Sequence, residues 1–309
     1  MKKILPLVIL AAVLQNACSP YMYSFKKKDE SVVLNINRSA DKNGIFDFST
    51  LTAQNTADQS GRFAFAPAMI KPIAMAIFKI SMALLDAERK RYTQDYSVTT
   101  SDFAFYKLVS DSDAYDCRGM DFAGFDIVRT FKNKDGSTDN ACKISLSVDL
   151  DNPKQIANNS MFRLYLSGFD YKYSKAKIAN LKKNEKKSSI VIDINLKSTW
   201  LTPEGAMHQN EDIGRMRLQL KDIPMDPSDP EYNKYRQSII GTKLEGFSFL
   251  VPRSFGHYLV NDNDGSHFQK VFGTGQFTLD VKVTETGKLT KMQEGVFMGV
   301  EMAQKNMPK

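Results

Sequence analysis

The sequence predicts a mainly β fold, an antiparallel β-sandwich of about nine strands with one buried N-terminal helix, and three observations carry that expectation. First, apolar and polar residues alternate in segment after segment. Ile144, Leu146, Val148 and Leu150 alternate with Lys143, Ser145, Ser147 and Asp149. The same period runs through Phe162, Leu164 and Leu166, through Ile190, Ile192, Ile194 and Leu196, through Met216, Leu218 and Leu220, and through Phe277, Leu279, Val281 and Val283. A period of two turns one face of a strand to a core and the other to water. Second, the segments are separated by polar turns, and their alternation argues against a parallel sheet buried on both sides. Third, 309 residues with 42% hydrophobic and 25% charged side chains have an ordinary globular composition, which excludes disorder and collagen-like structure.

Taken in chain order, a strand is expected at 31–37, followed by a polar stretch up to Gly61. A helix is expected over 68–91, because a ~100° advance per residue sets Ile70, Ile73, Ile77, Ile80 and Leu84 on one stripe. Phe78 and Leu85 flank that stripe and Met75 and Met82 widen it, so the helix is more apolar than a surface helix needs and is expected to be covered. Pro72 suits its first turn, and the charged end 86–91 suits emergence into solvent. Weaker strand candidates lie at 103–109, 125–131, 169–178 and 244–251. The resulting division is a leader at 1–17, a tether at 18–30, a strand-and-helix region at 31–100, and the β-sandwich at 101–309 packed with it.

The leader rests on Lys2 and Lys3, eleven apolar residues from Ile4 to Leu14, and then Gln15, Asn16, Ala17 and Cys18. A charged start, a short apolar core and a small residue before a cut site read as an export signal. Eleven residues fall short of the ~18 to 20 that a spanning helix needs, and no later stretch approaches that length. The Ala17-Cys18 junction resembles a bacterial lipoprotein signal. That resemblance implies a cut before Cys18, a lipid on its thiol, and attachment to the cell envelope, with Ser19 favouring the outer membrane. The partners expected are therefore the membrane, through the anchor, and a protein partner in an envelope assembly.

Loss of residues 1–17 would lower the net charge from 42 − 35 = +7 to 40 − 35 = +5. Nucleic acid is not an expected partner, since the basic residues are spread and an exported chain seldom meets it. The lysine runs 26–28 and 182–187 suit either anionic headgroups or a solvated tether and hairpin tip.

With Cys18 lipidated, Cys117 and Cys142 remain, and their even count across one hairpin predicts a disulfide worth roughly 3.5 kcal/mol in the chain-entropy model. A metal held by that pair is the poorer alternative, because neither has a second cysteine or a histidine at ligand spacing. His208, His257 and His267 form no nucleophile or metalloprotease pattern, and no phosphate-cradling glycine motif occurs. Catalytic residues, metal ligands and cofactors are accordingly not assigned. His208 is expected in a polar loop near Glu211 and Asp212. Asp111, Asp113, Asp116 and Asp121 around Cys117, and Asp262 and Asp264 before Gly265, read as turns and solvated loops rather than calcium sites. One possible ligand face stands out: Phe169, Tyr171, Tyr173, Lys175 and Lys177 alternate along one run, suited to stacking a sugar or meeting a phosphate. Tyrosines in strands also serve plain packing. Trp200 reads as a core or rim anchor. The expected role is binding or assembly at the envelope, the alternatives being a membrane-active protein and a hydrolase of envelope polymers.

Overall fold

The computed structural model describes residues 29–38, 46–47, 90–107, 119–133, 135–151, 156, 159–179, 185–262 and 265–289. The chain is mainly β and its sheets are antiparallel. One sheet has four strands in the order β1 (Ser31–Arg38), β6 (Phe122–Lys132), β7 (Thr138–Val148) and β9 (Leu164–Tyr171). The other has six, in the order β3 (Thr93–Asp102), β15 (Gln276–Gly287), β10 (Lys187–Leu201), β11 (Met207–Pro224), β12 (Glu245–Phe249) and β8 (Met161–Phe162). Three two-residue strands, β2 (Phe46–Asp47), β4 (Tyr106–Lys107) and β5 (Gly119–Met120), make a small third sheet, and β13 (Phe255–Asp262) pairs with β14 (Gly265–Phe272) in a hairpin.

The described residues thus hold fifteen strands where about nine were expected. Four of the fifteen are only two residues long, and β3, β13 and β14 carry too little alternating apolar character to announce themselves. The helix expected over 68–91 lies outside the described residues except at its end, where Lys90 to Tyr92 is helical. A shorter helix that composition did not reveal, α1 (Glu231–Ile239), follows the Asp-Pro-rich turn after β11. Its start is fixed by Asp229, whose carboxylate accepts from the Glu231 N–H at 2.9 Å. Arg236 then donates to the Pro224 carbonyl at 3.0 Å and to the Tyr171 carbonyl at 2.8 Å, so α1 ties the six-stranded sheet to the four-stranded one. No helix among the described residues is long and apolar enough to cross a membrane.

Within the strands the alternation read from the sequence sorts the faces as expected, whereas Leu150, expected to face inward, lies past the end of β7 and is exposed. Ile190, Ile192, Ile194 and Leu196 of β10 are buried, while Val191, Asp193, Asn195 and Lys197 between them are not. The inward residues of both sheets join one hydrophobic cluster that includes Phe125, Ile127, Ile144 and Leu146 from the four-stranded sheet and Leu218, Leu279, Val281 and Val283 from the six-stranded one. An aromatic group links the two sheets at one end: Phe122 on β6 meets Phe277 on β15 at 5.3 Å edge to face, and Phe105 stacks on Phe122 at 5.4 Å. Such pairs prefer these offset and perpendicular geometries. The strands of region 31–100 are members of the same sheets as those of 101–309, β1 pairing with β6 and β3 with β15.

At the opposite end, apolar packing gives way to a buried ion pair. Arg129 of β6 and Glu285 of β15 both have side chains with no exposure and approach to 3.4 Å. The desolvation of two buried charges is offset best when further hydrogen bonds take up their remaining capacity. Glu285 receives four further donors: the Tyr96 hydroxyl at 3.0 Å, the Tyr171 hydroxyl at 3.1 Å, the Ser174 hydroxyl at 3.2 Å, and the Lys175 backbone N–H. Arg129 also donates to the Tyr173 carbonyl and to Glu30 at 3.4 Å, while its Nε is buried without a partner, so the carboxylate is the better satisfied of the two. Burial, followed by the Glu285 charge, holds the Tyr96 and Tyr171 phenols well above their ordinary range, so both stay protonated donors.

Replacing one member alone strands a buried charge. Glu285→Leu or Arg129→Met is therefore expected to lose about 3–5 kcal/mol in denaturant unfolding, and the double replacement much less than the sum of the two. Additive losses would show that the pair is not coupled.

Candidate functional site

The outward residues of the six-stranded sheet build the site. Register places Thr99, Asp280, Asn195, Arg215 and Phe247 in one row across β3, β15, β10, β11 and β12, and Ser97, Lys282, Asp193, Arg217 and Glu245 in the next. Between these rows lies a depression of ≈ 940 Å³, with Ile194, Met216 and Val281 beneath it. Its depth at one side depends on glycine. Gly246 has φ +85°, and a Cβ there would come within 2.3 Å of the Arg215 carbonyl oxygen; a Cβ on Gly214 would meet Ser248 Cα at 2.3 Å. The β11–β12 approach thus needs both positions to lack a side chain.

The charges of the face are arranged in opposite-sign contacts. Arg217 makes a two-pronged contact with Asp193 at 2.6 and 3.2 Å. Lys197 reaches Asp280 at 2.6 Å, Lys282 reaches Asp95 at 3.1 Å, and Arg215 reaches Asp212 at 2.9 Å. Burial pushes the Asp280 carboxyl up, but the hydrogen bonds from Lys197 and Thr99 outweigh it and leave the group below its ordinary value. Asn195 and Arg215 lower Asp212 by hydrogen bonding, and Lys282 does the same for Asp95. Exposed pairs of this kind contribute only about 0–1 kcal/mol each to stability. Their consequence is orientation, since each guanidinium and carboxylate is held with hydrogen-bonding capacity to spare. Beside this lattice Phe247 and Phe249 are 48% and 51% exposed, their rings edge to face at 6.2 Å. Ser248 between them is buried, so both rings stand on the outer face.

The residues expected from the sequence fall elsewhere. β9 ends at Tyr171, so the run from Phe169 to Lys177 does not continue as one strand and its five side chains share no single exposed face. Tyr171 is fully buried with its hydroxyl on Glu285, and Lys177 is buried with its ammonium 5.1 Å from the Tyr92 ring centre. Phe169 and Tyr173 are half-buried, packed at 5.9 Å from Tyr171 and 5.6 Å from Phe131, and Lys175 lies 5.3 Å over the Tyr96 ring. The stretch that read as a ligand face is the collar of the buried ion pair.

Cys142 is a free, buried thiol, and Cys117, its expected disulfide partner, lies outside the described residues. In β7 it stands two residues before Ile144 on the inward face, among Tyr96, Arg129 and Glu285. Burial, with Glu285 adding to it, raises this thiol far above its ordinary value. Cys18, Cys117, Asp111, Asp113, Asp116 and Asp264 lie outside the described residues.

His208 belongs to β11 rather than to a loop, and its ring stacks on Trp200 at 4.3 Å, so Trp200 anchors the rim of the β10–β11 hairpin. His257 and His267 lie on β13 and β14, which pair as far as Asp262 and Gly265. Asp121 is held by Arg38 at 3.1 Å. No group of three or more His, Cys, Asp or Glu able to hold a metal occurs among the described residues.

Comparison of the chain with protein-family models, with curated proteins and with solved structures finds no match. The site therefore rests on its own geometry. The outward residues that form it were present in the sequence as the polar halves of alternating strands. The order of those strands, which brings Arg217 to Asp193 and Glu245, was not.

Two outcomes follow. Cys142 should resist alkylation in the native protein and react once denatured without reductant; fast native labelling would contradict its burial. Because Asp280 and Asp212 have lowered carboxyl values, their contribution is present above about pH 4 and is lost as pH falls through the folded values. Lys197→Ala should raise the Asp280 midpoint in an NMR titration, and an unmoved midpoint would remove Lys197 as its cause.

Proposed function

We propose that the chain is a lipid-anchored binding module of the bacterial cell envelope, at the outer membrane, with its two main sheets packed as a β-sandwich and the outer face of the six-stranded sheet as its binding surface. The observation that carries the surface is the depression of ≈ 940 Å³, lined from five strands by oriented polar and charged side chains. Sites for ligands are concave and carry a few convergent polar groups. The anchor is carried by the export signal and the Ala17-Cys18 junction.

The two parts are compatible in space. Glu30 meets Arg129 at 3.4 Å, at the end of the sheets where Lys187 and Gly287 also lie. An anchor at Cys18 would join the fold at that end through a tether of at most about 45 Å. The depression is on the flank of the six-stranded sheet, away from that attachment.

Metabolic labelling with palmitate, combined with membrane fractionation, tests the anchor. Wild-type chain should take up label and stay with membranes through a high-salt wash, which screens charge but not acyl burial. Cys18→Ala should lose the label and accumulate as precursor, Gln15 also being a poor ordinary cleavage site. Wild-type chain that leaves the membrane in salt and takes up no label would falsify the lipoprotein reading.

A further inference from the structure

Resting on the reading of the outer face as a binding surface, we infer that the depression takes an uncharged saccharide chain rather than a polyanion or a polycation. The first argument is charge. Asp193, Glu245 and Asp280 line the depression together with Arg215, Arg217 and Lys282, three acids against three bases, on a chain whose net charge is +7. A site for phosphate or sulfate would concentrate the excess positive charge where the ligand sits. Here the excess lies elsewhere and the depression is neutral.

The second argument is the pairing within the face. Arg217 is engaged by Asp193, Arg215 by Asp212 and Lys282 by Asp95, so a polyanion that uses their spare N–H groups is brought beside a carboxylate at every cation it meets and is repelled by it. A hydroxyl meets no such repulsion, because it donates to a carboxylate lone pair and accepts from a spare guanidinium N–H at the same time. The Ser97 and Thr99 hydroxyls at the β3 side offer the same two-way chemistry.

The third argument is the aromatic pair. Phe247 stands in register with Arg215 at the β12 side, and Phe249 follows it on the same face. A sugar ring carries hydroxyls at its rim and C–H groups on its faces. A rim of exposed aromatic rings beside a plane of donors and acceptors meets both kinds of surface.

A glycan array carrying uncharged, sialylated and sulfated oligosaccharides, probed with the full chain, tests the inference. Binding to uncharged glycans that persists at high salt is the expected result. Calorimetry with the best uncharged oligosaccharide should then show about tenfold weaker binding for Phe247→Ala and for Arg217→Gln, the loss expected for one good contact. Both residues are exposed, so melting temperature should be unchanged, and Phe103→Ala, 71% exposed at another place, should bind as wild type. Binding confined to sulfated or sialylated glycans and abolished by salt overturns the inference, as does an array with no bound glycan. Equal affinity of Phe247→Ala and wild type overturns the assignment to this face. Retention of a protein partner from solubilised membranes by a chain that binds no glycan leaves the binding module standing and removes the saccharide.

Discussion

The buried contact between Arg129 and Glu285 is the constraint to which the arrangement of both sheets answers. Apolar side chains tolerate sliding, since one methyl group serves nearly as well as another against a flat core. A buried carboxylate does not, because each missing donor leaves it under-solvated. The groups that satisfy this one come from β3 (Tyr96), β6 (Arg129), β9 (Tyr171) and the segment after it (Ser174, Lys175). Ser188 of β10 joins through the Tyr171 hydroxyl at 3.1 Å. A shift of one sheet against the other would take donors away from it. Such a pair adds little net stability over an apolar equivalent, but removing one partner alone is costly, so the present alignment is the one that keeps the carboxylate satisfied.

The outer face inherits the alignment. Because β10 pairs with both β11 and β15 along nearly its whole length, fixing β15 through Glu285 fixes the rows of outward side chains as well. Asp193 therefore faces Arg217 on one side and Lys282 on the other. The glycines at 214 and 246 then admit β12 against β11, bringing Glu245 and Phe247 to the end of those rows. A buried polar contact at one end of the sheets and two absent side chains on β11 and β12 together shape the depression.

Much of this was legible as pattern. The inner faces of β7, β10, β11 and β15 could be read directly from alternation, and so could two signals that composition alone obscures. Arg129 follows Phe125 and Ile127 at inward parity, and Glu285 follows Leu279, Val281 and Val283 at the same parity. Opposite charges at inward positions of otherwise apolar strands mark partners. Cys142 also shares the parity of Ile144, a sign of burial that the reading of an even cysteine count as a disulfide passed over. β3 was not legible: in Thr-Gln-Asp-Tyr-Ser-Val-Thr-Thr-Ser-Asp the only apolar inward residues are Tyr96 and Val98, since this edge strand meets the core partly through the polar cluster. Strand order, and with it the depression, is a property of long-range pairing that no local spacing encodes.

A second arginine shows how burial decides which clamp matters. At the opposite end of the sheets Arg38 of β1 donates to the Ala104 carbonyl and pairs with Asp102 and Asp121, joining the ends of β1, β3 and the turn before β6. Its geometry resembles that of Arg129, with several acceptors drawn from different elements. The surroundings differ: the Arg38 side chain is 26% exposed and its carboxylate partners 21% and 17%, against no exposure for Arg129 and Glu285. Water reaches the first group and competes for every hydrogen bond, so its loss is partly made good by solvent. Nothing replaces the second. At the Arg38 end the adjoining aromatic cluster of Phe105, Phe122 and Phe277 does the holding and the arginine closes the rim. At the Arg129 end the charged pair is itself the core, which is why the tyrosines and serines that surround it are spent on one carboxylate rather than on a ligand.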